Sequence, residues 1–161
     1  MGEPGLLESL RNSRLAPELT EPQLATLADL AFARDMKAGE VLVNEGTSDN
    51  HLYVLVSGAL GVIRGAGTAE PVNLFTLAPG DFVGELSFLD GTPHYASIVA
   101  LGAVRVIGLE REKLESLLHG HPEIVYRVMR AIVRTVHQIQ RRLSMQSAEL
   151  TNYIYKQHGR Y

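Results

Sequence analysis

The chain has no cysteine. That absence removes disulfides, thiolate nucleophiles and cysteine-held metals or clusters. No apolar run approaches the roughly 18 residues that a membrane-spanning helix needs. The first residues, Met1-Gly2-Glu3-Pro4-Gly5, carry neither the basic region nor the apolar stretch of a secretory leader, so a cytoplasmic location is expected. Positive charge is not in excess. A formal net charge of −3 supplies no bulk attraction to nucleic acid. Internal repeats and low-complexity segments are also missing.

What remains is ordinary for a soluble globule. A chain of 161 residues with 45% apolar side chains fits one domain with a sizeable core. Thr20-Glu21-Pro22-Gln23 reads as a helix start. Thr20 caps, Gln23 completes a capping box, and Pro22 is tolerated in the first turn. Leu24, Leu27, Ala28 and Ala31 then form one apolar face, and a shorter helix is expected around Leu6 to Leu10. From Phe32 to Leu109 the texture changes to short β-rich runs broken by Gly39, Glu45-Gly46, Ser57-Gly58, Gly65-Ala66-Gly67, Pro79-Gly80, Gly91-Thr92-Pro93 and Gly102. That rhythm predicts a closed or sandwiched antiparallel sheet.

Glu112 to Leu118 reads as a short helix, and His121-Pro122-Glu123 opens a longer one. In the long helix, Val125, Met129, Ile132, Val136, Ile139, Leu143, Gln146, Leu150 and Tyr153 follow at spacings of four and three. This is an a/d seam interrupted at Gln146. One reading is a helix lying on its own domain. The length of the seam favours pairing with a second copy, through Val125, Met129, Ile132, Val136, Ile139 and Leu143.

The stretch Gly80-Asp81-Phe82-Val83-Gly84-Glu85-Leu86-Ser87-Phe88-Leu89, followed by Ala96-Ser97-Ile98-Val99, carries the most chemistry. Gly84 lets a backbone approach something closely, having no Cβ to clash. Glu85 offers two acceptor oxygens and no donor, which suits a hydroxyl. Leu86 to Leu89 read as one helical turn whose unpaired N–H groups attract an anion. A hydroxyl acceptor beside an anion cradle suits a ribose phosphate.

This run resembles the phosphate-binding cassette of the cyclic nucleotide-binding domain, the family of the bacterial catabolite activator protein and of protein kinase A regulatory subunits. The resemblance extends through Lys37-Ala38-Gly39-Glu40-Val41-Leu42, Glu45-Gly46, Leu52-Tyr53-Val54-Leu55-Val56-Ser57-Gly58 and Val106-Ile107-Gly108-Leu109. It implies a mainly β fold with flanking helices: a double-stranded β-helix (jelly-roll) barrel of about eight strands, with N-terminal helices and a long C-terminal dimerisation helix. The corresponding segments are 1–31, 32–110 and 111–161, within one structural domain. It also implies that Glu85 accepts from the ribose 2′-hydroxyl and that the Leu86 and Ser87 N–H groups meet phosphate oxygens. Ala96 supports the facing strand. Leu74 and Val62 are expected as apolar walls. Ile139 and Gln140 fall where the family's helix reaches over the base, with their roles as seam and flank equally open.

The sequence departs from the family where an arginine usually pairs with the cyclic phosphate. Here His94 and Tyr95 precede Ala96. Arginine has a permanent charge and a bidentate fork, whereas histidine is mostly neutral at pH 7. Loss of a charge-assisted pair costs on the order of 2–3 kcal/mol. Tyr95 adds bulk and can hydrogen-bond a different ligand. Three readings stay open: cAMP or cGMP with His94 as a partial substitute, another ligand such as haem, 2-oxoglutarate, an aromatic acid or a cyclic dinucleotide, or an empty pocket in an interaction module.

Other constellations are weaker. His119-Gly120-His121 has no matching third ligand for a metal, the clustered histidines of a metal-binding cupin are missing, and Ser57 and Ser87 lack hydrolase partners. Arg127, Arg130, Arg134, Arg141 and Arg142 make a basic helix, which either tracks phosphates, faces solvent or pairs with acids elsewhere. The residues after Leu143 lack a second helical pair, so no helix-turn-helix is expected. The sequence therefore points to a ligand-responsive regulatory homodimer, not an enzyme, with no cofactor and no metal, and with a cyclic nucleotide as its small-molecule partner. The alternative is a ligand-free dimerisation or protein-interaction module.

Overall fold

Thr20 and Gln23 close a reciprocal cap: the Thr20 hydroxyl accepts from the Gln23 N–H, and the Gln23 side-chain oxygen accepts from the Thr20 N–H at 3.0 Å. This cap fixes the start of α2 (Glu21–Leu30), which follows α1 (Leu6–Arg11) and a 3₁₀ turn (Ala16–Glu18). The coordinates are a computed structural model. They describe residues 5–158; beyond Gln138, the described side chains are those of Arg141, Met145, Asn152 and Ile154.

Eight strands follow: β1 (Phe32–Met36), β2 (Val41–Val43), β3 (His51–Ser57), β4 (Leu60–Arg64), β5 (Val72–Leu77), β6 (Phe82–Val83), β7 (Ser97–Ala100) and β8 (Val104–Glu110). They form two four-stranded antiparallel sheets, in the orders β1-β8-β3-β6 and β2-β7-β4-β5. A one-turn helix α3 (Glu85–Asp90) joins β6 to β7 across the sheets, and α4 (Arg111–Glu115) and α5 (Pro122–His158) complete the chain. The architecture is thus mainly β with flanking helices.

Strand period explains the two cores. On β3, Tyr53 and Leu55 face inward with Met36, Val43, Leu60, Val62, Val83, Ile98 and Val106, filling the space between the sheets. Leu52 and Val54 face outward and meet Leu10, Leu24, Leu27, Phe88, Ile107, Ile124 and Val128 beneath the helices. Gly108 on β8 makes room for an aromatic. A Cβ there would lie 2.3 Å from the Phe32 ring, so glycine is a packing requirement at that position.

The long helix divides the seam read from the sequence. Val125 and Ile132 are buried in the chain's own core, with Met129 and Val136 half-buried at its rim. In this arrangement Val125 and Ile132 face the domain and not a second helix. Ile124, Val128 and Ala131 supply the rest of that buried stripe. Periodicity reveals that a face is covered but not by what. The Ile139 and Leu143 side chains lie outside the described residues, as do those of Gln146, Leu150 and Tyr153.

The helix arginines also find an acid. Glu18, whose side chain is 6% exposed, meets Arg134 at 2.9 Å, Arg130 at 3.0 Å and Arg127 at 3.9 Å. Four residues earlier, Arg14 Nε donates to Asp81 Oδ1 at 2.9 Å and its Nη1 donates to Gln138 Oε1 at 3.2 Å. The 14–18 segment therefore ties α5 to the loop that leads into β6.

Candidate functional site

β6 ends at Gly84, whose φ of 81° places it in the left-handed region. A side chain there would be strained, and its Cβ would lie 3.1 Å from the His51 carbonyl oxygen and 3.7 Å from His94 Cε1. Glycine is needed for the turn and for the close approach together. The turn starts α3, which a second left-handed glycine, Gly91, closes at φ 76°.

Glu85 is the first residue of α3 and is half-buried. Burial pushes its carboxyl above the usual carboxylate range, partly offset by its own backbone N–H. Desolvation of this kind disfavours the charged form. Tyr95 stands within the field of Glu85: burial and then the Glu85 charge both push its phenol up. Tyr95 is 55% exposed, so it lies at the rim of the turn.

The first N–H groups of a helix have no partner inside it, which leaves those of Leu86 and Ser87 directed outward from the turn. The side chains differ. Leu86 is exposed, whereas Ser87 is buried. The Ser87 hydroxyl accepts from the Asp49 N–H at 2.6 Å and donates to the Asp49 carbonyl at 2.7 Å. It fastens α3 to the loop before β3, so a ligand at this turn meets the Ser87 backbone and not its hydroxyl.

His94 is held by its backbone, which accepts from the Gly46 N–H and donates to the Thr47 carbonyl, both at 2.8 Å. Its imidazole rests against Gly84, half-buried, and Nε2 is a buried nitrogen with no hydrogen-bond partner among the described residues. Burial pulls the imidazole below its ordinary range, while the Asp49 charge acts in the opposite direction. A neutral imidazole with an unengaged nitrogen thus occupies the position beside the turn.

Ala96 and Val62 are buried in the inter-sheet core. On β5 the register pairs Val62 with Phe75 and Ile63 with Asn73, skipping Leu74. Phe75 therefore shares the inner face with Val62 while remaining 43% exposed, and Leu74 sits at the irregularity, 42% exposed. The Gln140 side chain lies outside the described residues. Sequence reasoning passed over Phe75 because the skip is invisible without the pairing. It also passed over Asp49, whose charge acts on His94 and Tyr53. The Asp49-to-Ser87 link joins residues far apart in sequence and leaves no local pattern.

Among the described residues no group of three or more His, Cys, Asp or Glu is arranged to hold a metal, and no helix is long and apolar enough to cross a membrane. His121 lies 3.5 Å from Glu123 Oε1.

Residues 33–121 match the family model described as the cyclic nucleotide-binding domain. The chain is 28% identical over 110 residues to the CRP-like cAMP-activated global transcriptional regulator of Mycobacterium tuberculosis, covering 68% of this chain and 49% of that protein. It is 30% identical over 117 residues to the cAMP-dependent protein kinase regulatory subunit of Pyricularia oryzae, covering 73% of this chain and 29% of that protein. The chain therefore spans about half the length of the first relative and under a third of the second. Both relatives are regulators by name. A crystal structure of a cyclic nucleotide-binding domain from Methylobacillus flagellatus KT has a TM-score of 0.74 at 22% identity, covering 85% of this chain and 77% of that one. At that identity the likeness speaks to the fold alone.

Proposed function

The chain belongs to the cyclic nucleotide-binding domain family, and from that premise we propose that it is a non-catalytic, ligand-responsive regulatory domain that takes cAMP or cGMP at Gly84–Ala96. In this reading Glu85 accepts from the ribose 2′-hydroxyl, and the Leu86 and Ser87 N–H groups receive the phosphate oxygens. His94 stands in for the family's arginine. Val62, Leu74, Tyr95 and Gln140 surround the remainder of the ligand. The segments 1–31 and 111–161 flank a ligand-holding unit at 32–110. The strand orders support reading that unit as a jelly roll, which is built from two Greek-key sheets of this kind. Two copies pair through the outer part of α5, where Ile139 and Leu143 continue the seam.

The observation that carries the reading is the Glu85 carboxylate. It is half-buried, its pKa is raised by that burial, and it stands at the start of a turn that glycine alone permits. Carboxylates perturbed by burial cluster at functional sites. Calorimetric titration with cAMP, cGMP and cyclic di-GMP is the test. Heat with a mononucleotide that Glu85→Ala abolishes is the expected result. No heat at millimolar concentration of any of the three overturns ligand sensing. It would favour the ligand-free interaction module, a reading that the substitution of arginine by His94 already makes specific. Sedimentation of Leu143→Glu tests the pairing, and an unchanged dimer refutes that part.

A further inference from the structure

We propose that ligand binding at this site is coupled to proton uptake by His94, so that affinity for an anionic cyclic nucleotide rises as pH falls. The inference rests on the reading that the ligand's phosphate sits at the α3 turn. Its own support is geometric. His94 packs against Gly84, within 3.7 Å of where a Cβ would project. Its Nε2 is buried and unpartnered. The backbone bonds to Gly46 and Thr47 hold the main chain of the residue in place beside the turn.

The charges around it set the direction. Asp49 and Glu45 come from the loop between β2 and β3, His51 from β3, Glu85 from α3, and Tyr95 from the same segment as His94. Of these, Asp49 acts on the imidazole and favours its protonated form, while burial outweighs it and leaves the free site neutral. Glu45 is turned towards Arg64 at 4.0 Å and the Gly65 N–H at 3.3 Å. His51 has Asp49 Oδ1 3.4 Å from its Nδ1. The site therefore offers the phosphate no permanent cation from these elements.

An imidazole that turns on its side-chain bonds to present Nε2 to a phosphodiester anion at the α3 turn reverses the balance. The anion favours the imidazolium, so the His94 pKa rises on binding and one proton is drawn from solvent onto the ring. Between the free and the bound pKa, affinity gains about tenfold for each pH unit of acidification. Above the bound value it is flat, and below the free value it is flat again. Glu85 sets the acid limit. Once its carboxyl is protonated, an acceptor for the ribose hydroxyl is lost and affinity falls.

Calorimetry of cAMP binding in two buffers of different ionisation enthalpy, from pH 5 to 8, counts the protons directly. The expected result is uptake approaching about one proton per cAMP bound within the sensitive interval, tightening as pH falls. His94→Arg should bind about 30- to 150-fold tighter at neutral pH, with no uptake. His94→Gln should bind weakly at every pH, with no uptake. Wild-type binding that takes up no proton and keeps one affinity across the range overturns this inference while leaving the sensing function standing. Failure of both wild type and His94→Arg to bind at any pH overturns the function itself.

Discussion

Replacing Glu18 by alanine should loosen α5 from the body of the domain, and the size of the effect can be worked out in advance. The carboxylate is 6% exposed and has two close guanidinium contacts, at 2.9 and 3.0 Å, with a third at 3.9 Å. A hydrogen bond to a charged group contributes about 1.5–3 kcal/mol when sheltered, whereas exposed ion pairs contribute about 0.2–1 kcal/mol. The arginines are 43–61% exposed, so each close contact falls between those limits. Together the contacts stabilise the fold by about 1–3 kcal/mol. For a domain of this size the melting temperature should fall by about 3–10 °C. Thermal unfolding of Glu18→Ala, Arg134→Ala and the double variant forms a mutant cycle, which should show coupling because the residues share one network. Strictly additive losses, or a melting temperature unmoved by Glu18→Ala, would refute the clamp.

Two further outcomes follow from the site. Ser87→Ala leaves the Asp49 N–H and carbonyl without their partner, which should cost about 1–3 kcal/mol and speed hydrogen exchange at residues 48–50; unchanged exchange would mean the hydroxyl is not what holds that loop. Glu85→Gln should stabilise the ligand-free protein at pH 7–8 while weakening cyclic nucleotide binding, because burial holds the carboxyl above its unfolded value of 4.5. The sign follows from proton counting: between the unfolded value of 4.5 and the raised folded value the folded state binds more protons, so stability falls as pH rises through that interval and is level above it. The advantage of Glu85→Gln should therefore shrink as pH drops to the unfolded value, and a melting difference independent of pH would exclude burial of the charge as its cause.

Local features were legible in the sequence because local chemistry fixes them. The Thr20 and Gln23 cap needs four residues and no tertiary partner. The left-handed Gly84 and Gly91 mark the ends of α3 in the same way. Long-range features were not. The strand rhythm predicted antiparallel sheets, but the register that turns Phe75 inward exists only once β4 and β5 pair. The arginines of α5 formed a visible basic face, yet their acid lies more than a hundred residues away at Glu18. The heptad spacing of α5 was real, but its first half is covered by the chain's own helices. An amphipathic stripe has the same sequence signature whether it meets its own domain or another copy.

These magnitudes bear on which part of α5 a ligand can move. The Glu18 contacts contribute about 1–3 kcal/mol, equivalent to about 5- to 150-fold in an equilibrium, which is the usual range of coupling between two sites. A ligand with that much preference for one arrangement can break or reinforce the contacts of Glu18 with Arg127, Arg130 and Arg134. It cannot extract Ile124, Val128, Ala131 and Ile132, all at 2% exposure or less. Burying a valine or isoleucine side chain stabilises by about 1.5–3 kcal/mol each, and Ile124, Val128 and Ile132 together exceed any single ligand's differential affinity in that range. Under the proposed ligand response, motion driven from the cassette would act on the polar strap at Glu18 and leave the buried stretch 124–132 in place. A ligand that binds both arrangements equally moves nothing, however tightly it is held.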